Sequence, residues 1–527
     1  MMSLRDDLAQ WLPGARARAR TVALDPRIAY IGRIERIGDG IAVVSGLPDS
    51  RLDELLVFET GVVGIAIELD ADAIGCVLLG SQDGLAAGQR VVGTGEVARV
   101  PVGEALLGRV VDAVGNPLDG GAAIVGERRD PVERPAPAIV DRDFVRRPLL
   151  TGITAIDAMI PIGRGQRELI IGDRKTGKTA IAVDAMIRQR DGDVICVYAA
   201  VGQRSSTVRD VIEAVRHHGA PDRCVFVVGA AEGPAGAQWL VPYAACTIAE
   251  YFRDRGRDAL LVIDDLTRHA IVYRQLSLLL RDPPGREAYP GDVFYLHARL
   301  LERAAKLSAA RGGGSLTALP IAETEEGNLS AYIPTNLVSI TDGQIYLDPK
   351  LFYEGQKPAV HVGKSVSRVG GKTQAPAMKG LAESLRLRYA QFIELEMFTK
   401  FGVALDDRTR RTIEHGRRIR AVLRQAELAP LALAQQVALL IALDDGILDA
   451  VPVERIDDCR AAIRDQLRDR APDAVAAIEQ TGELTPEARS ALAVVVRAAC
   501  APFAVAEVAE GTEVAEGTEV PKVPKVT

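Results

Sequence analysis

The chain has 527 residues, of which 48% are hydrophobic and 26% are charged, and its formal net charge is −7. This length predicts about three domains, and the composition is typical of a globular protein with large cores. The acidic balance argues against a nucleic-acid partner held mainly by electrostatics. No cysteines form a C-x-x-C pair, which favours buried thiols over a disulfide framework or a zinc site. The cysteines are Cys76, Cys196, Cys224, Cys246, Cys459 and Cys500.

The sequence predicts no direct membrane span and no targeting peptide. No apolar stretch reaches the ~20 residues that a bilayer crossing needs. The best candidate, residues 491–506, is interrupted by Arg497 and Pro502. The start of the chain lacks an apolar signal core, and its early acidic residues argue against an organelle transit peptide. We expect residues 1–25 to form a basic amphipathic helix or arm instead.

Short apolar runs separated by turn residues characterise residues 26–97. Clusters such as Gly38-Asp39-Gly40 punctuate the runs. The strands predicted there are Ile41–Val44, Glu54–Phe58, Gly64–Leu69 and Ile74–Leu79. This pattern predicts a small antiparallel barrel or sandwich.

Between residues 98 and 375 strands alternate with helices, which predicts an α/β domain on a largely parallel sheet. Continuous apolar runs predict its buried central strands. These runs are Ile195–Ala200, Val225–Val228 and Leu260–Ile263. From residue 376 the strands stop, and helical periodicity in Leu381–Lys400 and Arg408–Arg424 predicts a helical bundle over residues 376–504.

The last segment, residues 505–527, contains an internal repeat. Val-Ala-Glu-Gly-Thr-Glu occupies 508–513 and again 514–519, and Pro-Lys-Val then occurs twice. Such a low-complexity segment cannot bury a core, so we expect a disordered tail, with partner binding as the alternative.

Residues 169–180 read Leu-Ile-Ile-Gly-Asp-Arg-Lys-Thr-Gly-Lys-Thr-Ala, an apolar strand followed by a glycine-rich loop that opens a helix. The spacing G-x-x-x-x-G-K-[ST] is that of a phosphate-binding P-loop. Backbone N–H groups and the helix dipole attract phosphate oxygens, Lys178 supplies a cation for the β- and γ-phosphates, and the Thr179 hydroxyl can ligate Mg²⁺. The predicted nucleotide-binding residues of the loop are Gly172, Asp173, Arg174, Lys175, Thr176, Gly177, Lys178 and Thr179.

Two further strand ends complete the predicted site. The strand 260–263 ends in Asp264, a carboxylate in the position that holds the water shell of Mg²⁺ in P-loop proteins. We interpret the adjacent Asp265 as a structural or interface acid. The strand 195–201 leads to Gln203, whose side chain we expect at the γ-phosphate. ATPases of this type usually use a Glu to activate water, and an amide cannot accept a proton, so the sequence predicts slow turnover.

Several long sequence blocks resemble the alpha subunit of F-type ATP synthases, and the resemblance covers nearly the whole chain. The blocks are Pro101–Asp112, Pro161–Arg174, Pro283–His297, Ala331–Asn336 and Pro358–Ser367. The last block fits the family's Pro-led strand that ends in Ser-x-Ser. The resemblance implies an N-terminal antiparallel β-barrel, a central P-loop α/β domain of the RecA type and a C-terminal α-helical bundle.

The resemblance also implies an assembly. Three alpha subunits alternate with three catalytic beta subunits around the gamma subunit of the central stalk, and the N-terminal arm meets the delta subunit of the peripheral stalk. The complex couples ATP synthesis or hydrolysis to translocation of H⁺ or Na⁺. The alpha subunit is peripheral, on the cytoplasmic face of the bacterial inner membrane. Because alpha subunits hold Mg-ATP without hydrolysing it, the isolated chain is expected to be nearly inactive.

Individual residues take expected roles from the same resemblance. Arg368 occupies the position from which alpha subunits send an arginine finger into the neighbouring beta site, a device that contributes on the order of 10³–10⁵ in rate. Phe352 and Gln425 match residues beside the base. Three positions depart from the family pattern: Lys175 stands for Gln in the P-loop, Lys357 for Arg and Glu427 for Gln near the base. Lys175 could tighten nucleotide binding, shift the metal preference or point outward, and we expect the outward orientation. The departures near the base make adenine selectivity less secure than phosphate binding.

Two other classes of function compete with this interpretation. An autonomous ring NTPase, such as a hexameric helicase or a secretion ATPase, needs its own catalytic carboxylate, and Gln203 argues against it. A helicase also needs a nucleic-acid groove, which the acidic charge balance does not support. A pure scaffold that uses nucleotide only to stay folded predicts that Arg368→Ala leaves the activity of the assembled complex intact.

Overall fold

A computed structural model describes residues 30–399 and 406–505. The predicted N-terminal arm and the repeat of residues 508–519 lie outside this part of the chain. The chain divides into two units. One contains the described residues up to Ala98 with the segments Gly233–Ala237 and Gln275–Pro283, and the other contains the rest of the described residues.

The first unit holds an antiparallel barrel. Its strands are β1 (Ile31–Gly38), β2 (Ile41–Ser45), β3 (Glu54–Phe58), β4 (Val63–Leu69), β5 (Ile74–Leu78) and β6 (Arg90–Val97). They close in the order β1-β2-β5-β4-β3-β6. Burial alternates along β3, whereas β5 is buried along its whole length, and Leu56, Phe58 and Cys76 are among the fully buried residues. Of the two arrangements that the sequence allowed, the structure is the barrel.

The second unit is built on an eight-stranded sheet. Ten further strands follow in chain order: β7 (Arg99–Val102), β8 (Val110–Val111), β9 (Arg128–Pro131), β10 (Leu169–Asp173), β11 (Ile195–Gln203), β12 (Cys224–Ala230), β13 (Asp258–Asp264), β14 (Ser315–Thr324), β15 (Gly343–Leu347) and β16 (Val366–Ser367). The sheet order is β16-β15-β10-β14-β13-β11-β12-β8, and β7 pairs separately with β9. All neighbours in the large sheet are parallel except β15 and β16. The predicted, largely parallel α/β domain is therefore confirmed.

Helices connect and cover these strands. They are α1 (Thr154–Met159), α2 (Lys178–Arg188), α3 (Ser205–His218), α4 (Ala235–Arg253), α5 (Leu266–Leu280), α6 (Val293–Leu301), α7 (Tyr332–Ile340) and α8 (Pro349–Tyr353). Covered on both faces, the central strands are buried along nearly their whole length, as expected for parallel sheets. Strand β11 extends to Gln203, beyond the predicted run, and its register with β12 shifts between Val201 and Gln203. Such a bulge re-aims side chains.

The C-terminal part of the second unit is helical, as predicted. Its helices are α9 (Pro376–Thr399), α10 (Asp407–Leu423), α11 (Leu433–Asp444), α12 (Ile456–Arg470), α13 (Pro472–Thr481) and α14 (Pro486–Cys500). Helix α11 is apolar nearly all round and almost entirely buried, which is the pattern of a central helix. In the part of the chain that the structure describes, no helix combines the length and apolarity of a membrane span.

All six cysteines are free and buried, as the sequence predicts. Burial raises the pKa of Cys246 to about 12. A thiol with so high a pKa is not ionised at neutral pH and is therefore a poor nucleophile.

Candidate nucleotide-binding site

The predicted P-loop lies between β10 and α2, where a parallel strand hands over to a helix N-terminus. Gly177, the residue before α2, has φ 93°, a left-handed conformation that glycine adopts without strain. At Gly172 a Cβ atom would lie 2.7 Å from the carbonyl oxygen of Leu347, so no side chain fits. Lys175 is exposed and points outward as expected, with φ 65°. The loop therefore has the backbone that the phosphate-binding motif requires.

Lys178 folds back over the loop. Its Nζ donates to the carbonyl oxygens of Gly172, at 3.0 Å, and Asp173, at 2.6 Å. Burial lowers the pKa of this lysine, whereas the charges of Glu323 and Asp265 raise it. A buried ammonium surrounded by backbone oxygens and carboxylates is positioned to bind an anion.

Asp264, the predicted metal-side carboxylate, accepts hydrogen bonds from three side chains. Its Oδ2 accepts hydrogen bonds from Thr179 Oγ1 at 2.7 Å and from Tyr198 Oη at 2.8 Å. Its Oδ1 accepts one from Gln203 Nε2 at 2.9 Å. Burial raises the pKa of the Asp264 carboxyl, and the hydrogen bonds from Thr179 and Tyr198 oppose that rise. The sequence reasoning missed Tyr198, whose hydroxyl is the only polar group in an apolar stretch of β11.

Asp265 serves the fold. Its Oδ1 accepts from the backbone N–H of Arg268 at 2.6 Å, in the first turn of α5. Burial and the neighbouring Asp264 raise the pKa of Asp265 to about 7. This is the structural position that the sequence suggested, at the start of a helix where orphan N–H groups need acceptors.

The structure turns Asp173 away from the loop interior. Its Oδ1 accepts from Thr324 Oγ1 at 2.6 Å and from the Gly327 N–H at 2.8 Å, which ties the loop to the end of β14. Its carbonyl oxygen accepts from Thr176 Oγ1 at 2.8 Å. These hydrogen bonds of Asp173 and Thr176 therefore shape the loop.

Glu323 is a carboxylate that sequence reasoning missed. It lies near the end of β14, which neighbours β10 in the sheet, and its Oε2 is 3.6 Å from Nε of the exposed Arg174. Of the charges that raise the pKa of Lys178, the charge of Glu323 has the largest effect. No local pattern marks it, because its proximity to the P-loop follows from strand order.

Beside the P-loop, a cavity lies where the resemblance places the base. Phe352 lines it, and the Lys357 Nζ lies 4.7 Å from the centre of the Phe352 ring. An aromatic face suits stacking against a base.

Gln425 lines the same cavity, but its side-chain amide forms hydrogen bonds with other residues of the protein. Its Nε2 donates to the carbonyl oxygens of Gly152 at 2.8 Å and Ala429 at 2.9 Å. Its Oε1 accepts from the Thr154 N–H at 3.2 Å. In this arrangement the amide holds the cavity wall together.

Asp184 is a second residue that sequence reasoning missed. It lies on α2, is buried and lines the cavity together with Glu427. Its Oδ1 accepts from the Leu428 N–H at 2.8 Å. Burial and the charge of Glu427 raise the pKa of Asp184 to about 7. The cavity therefore carries an acid that titrates near neutral pH.

Arg368 lies apart from the P-loop. It is exposed, its Nη2 donates to the Val338 carbonyl oxygen at 3.2 Å, and it directly follows β16. Ser367 pairs with Gly343, the first residue of β15. The register of β15 with β10 pairs Leu347, at the other end of β15, with the P-loop residue Gly172. Four residues of strand, about 13 Å, therefore separate the base of the Arg368 loop from the start of the P-loop.

The residues present fit a magnesium ion bound with phosphate. Thr179 and Asp264 bring a hydroxyl and a carboxylate oxygen to within 2.7 Å of each other at the end of the loop. Within residues 30–399 and 406–505, no group of three or more His, Cys, Asp and Glu side chains is arranged to hold a metal by itself. Mg²⁺ takes oxygen ligands and usually keeps several waters, with one or two protein groups and substrate phosphates completing its shell.

The fold and site define a P-loop nucleotide-binding protein with an N-terminal barrel and a C-terminal helical domain. Three family models match it in succession. They are the beta-barrel domain of the ATP synthase alpha/beta family at residues 28–95, its nucleotide-binding domain at 152–367, and, at 374–499, the C-terminal domain of the ATP synthase alpha/beta chain. The protein belongs to the ATP synthase alpha/beta family, which confirms the family predicted from the sequence.

Curated relatives match along nearly the whole chain. It is 58% identical over 493 residues to ATP synthase subunit alpha 3 of Paraburkholderia xenovorans (strain LB400), covering 94% of this chain and 91% of the relative. It is 57% identical over 482 residues to ATP synthase subunit alpha 2 of Gluconobacter oxydans (strain 621H), covering 92% and 95%. The chain is thus similar to alpha subunits in all three of its parts.

Proposed function

We propose that the chain is the non-catalytic, nucleotide-binding alpha subunit of a rotary F-type ATP synthase, and that Arg368 completes the catalytic site of an adjacent beta subunit. The similarity to alpha subunits supports the first part. The placement of Gln203 and Arg368 supports the division of labour between the two kinds of subunit.

In this proposal the chain's own site holds Mg-ATP. The P-loop N–H groups and Lys178 bind the phosphates, Thr179 ligates Mg²⁺, and Asp264 holds the ion through water. The ion, when bound, neutralises charge on the β- and γ-phosphates. Gln203 donates to Asp264 and has no basic atom to take a proton from water, so the bound nucleotide persists. Phe352 stacks on the base.

The position of Arg368 is the observation that carries the proposal. The strand between its loop and the P-loop spans about 13 Å, which is more than an arginine side chain reaches. This distance supports a role for the exposed guanidinium at a nucleotide outside this chain's own site. In a neighbouring site, its permanent charge and planar fork suit the transferring phosphoryl group.

The proposed assembly is the one that the resemblance to alpha subunits of F-type ATP synthases implies. Three copies alternate with three beta subunits around the gamma subunit, the N-terminal arm meets the delta subunit, and no nucleic acid takes part. The complex couples ATP synthesis or hydrolysis to H⁺ or Na⁺ translocation. It lies on the cytoplasmic face of the bacterial inner membrane, with this chain as a peripheral component.

The test is ATPase activity of the reconstituted ring. Arg368→Ala is expected to lower kcat on the order of 10³–10⁵-fold, and Arg368→Lys to fail to rescue it because lysine lacks the guanidinium fork. Lys178→Ala, the matched change in this chain's own site, is expected to have a smaller effect. An active Arg368→Ala ring would favour the scaffold alternative. Robust turnover by the lone chain would favour an autonomous NTPase.

A further inference from the structure

A buried acid lies at the end of the sheet opposite the P-loop. Glu168, the residue before β10, has no exposed surface, and neither has Gln166. The Glu168 Oε2 accepts a hydrogen bond from Gln166 Nε2 at 2.7 Å. Its Oε1 meets no hydrogen-bond partner among the residues that the structure describes. Burying such a group is costly, and the nucleotide site does not use it.

Gln166 connects this acid to the loop that carries Arg368. The same Nε2 that donates to Glu168 also donates to Ser367 Oγ at 3.2 Å. The Ser367 hydroxyl donates in turn to the Pro161 carbonyl oxygen at 2.9 Å and accepts from the Gly370 N–H at 3.1 Å. One hydroxyl therefore fixes both ends of the turn in which Arg368 lies.

The sheet leaves room for the Glu168 carboxyl directly beneath that loop. A Cβ atom on Gly343 would lie 2.6 Å and 2.8 Å from the two Glu168 carboxyl oxygens. Gly343 is also the residue that pairs with Ser367. A glycine is therefore needed where the acid packs against the first residue of β15.

The charges around Glu168 explain how it acts. Burial raises the pKa of Glu168 well above its ordinary range, and the charge of Asp342 adds to the rise. The hydrogen bond from Gln166 and the charge of Arg368 lower it. The carboxyl beneath the Arg368 loop is therefore subject to opposing charges from Asp342 and Arg368.

We propose that Glu168 is a positioning residue, which through Gln166 and Ser367 fixes the loop from which Arg368 reaches the neighbouring subunit's nucleotide. The inference rests on the proposed function, because it assigns a support to the arginine finger. A displacement of about 1 Å in a group that meets the reacting phosphate costs on the order of 100-fold in rate. A rigid support is therefore part of the finger's action.

The test is a double-mutant cycle in the reconstituted ring. Gln166→Leu removes these two hydrogen bonds at nearly constant volume, together with the one that Gln166 Oε1 accepts from the Gly163 N–H at 2.8 Å. In the wild-type background it is expected to lower kcat on the order of 10- to 100-fold, with little change in KM. In the Arg368→Ala background it is expected to lower kcat no further, because the finger that it supports is gone. Glu168→Leu is expected to behave like Gln166→Leu, whereas Glu168→Gln retains the acceptor and rescues kcat.

Each outcome decides the inference. Equal losses from Gln166→Leu in both backgrounds, or a higher KM at unchanged kcat, would overturn the positioning role. An active Arg368→Ala ring would instead remove the proposed function itself. If the leucine variants do not assemble, Ser367→Ala breaks the same link at a half-buried position. Its loss of kcat must then vanish in the Arg368→Ala background, and nucleotide binding by the isolated variant must match the wild type.

Discussion

The side-chain amide of Gln203 donates to the carboxylate of Asp264, with 2.9 Å between Nε2 and Oδ1. Gln203 follows a shift in the register of β11 with β12. The amide thus stabilises the charge of the acid that we propose holds the metal's water shell. Its nitrogen is committed to that contact, which agrees with a site that keeps its nucleotide.

Gln203→Glu is expected to destabilise the protein, and more so at alkaline pH. The change replaces a donor with a second carboxylate beside Asp264, so the pKa of one of the two acids rises strongly. When folding raises the pKa of an acid, the protein loses stability as the pH rises through the folded-state pKa of that acid. The thermal midpoint of Gln203→Glu, relative to that of the wild type, should therefore decrease when the pH is raised from 5 to 8. Gln203→Leu, which adds no charge, is the control, and equal pH profiles for the two variants would contradict the explanation.

Lys178→Ala is expected to weaken the binding of Mg-ATP to the isolated protein about 10- to 100-fold. This factor corresponds to the free energy that a hydrogen bond to a charged group contributes. Titration calorimetry measures the affinity. The matched control is Lys175→Gly, which removes a lysine from the same loop at an exposed residue with φ 65°. Because that side chain points outward, its loss should change the affinity only slightly. A loss as large as that of Lys178→Ala would show that Lys175 turns inward to the phosphates.

Phe352→Ala is expected to weaken ATP binding about 10- to 100-fold, since stacking of a base on an aromatic ring contributes about 1–3 kcal/mol. Tripolyphosphate, which has no base, separates the two halves of the site. Its affinity should be the same for the variant and the wild type. A parallel loss for both ligands would mean that the substitution disturbs the P-loop.

Asp184→Asn is expected to flatten the pH dependence of stability. Folding raises the pKa of Asp184 to about 7. This carboxyl therefore contributes stability below its unfolded pKa of about 4, and that contribution is lost as the pH rises to about 7. The asparagine retains the acceptor for the Leu428 N–H and does not titrate. Thermal midpoints at pH 4.5 and 7.5 measure the effect, and an unchanged difference between wild type and variant would refute it.

Local sequence predicted the main elements well. The P-loop, the buried strands and the acid at the end of β13 each depend on a few consecutive residues, and the structure has them where the sequence places them. The predicted strand 195–200 extends to Gln203 because β12 continues the ladder beyond the apolar run. Gln425, which the sequence places beside the base, lines the cavity next to the P-loop, and its amide donates hydrogen bonds to Gly152 and Ala429.

What the sequence by itself determined is the chemistry of the phosphate loop, because glycine spacing, Lys178 and the following helix act within one contiguous segment. What only the tertiary structure decided is which distant residues meet. Strand order places Glu323 beside the P-loop and joins Glu168 to Ser367 through Gln166. Parallel strands have their partners far away in the sequence, so no local pattern records these contacts. They depend on the register in which the sheet assembles.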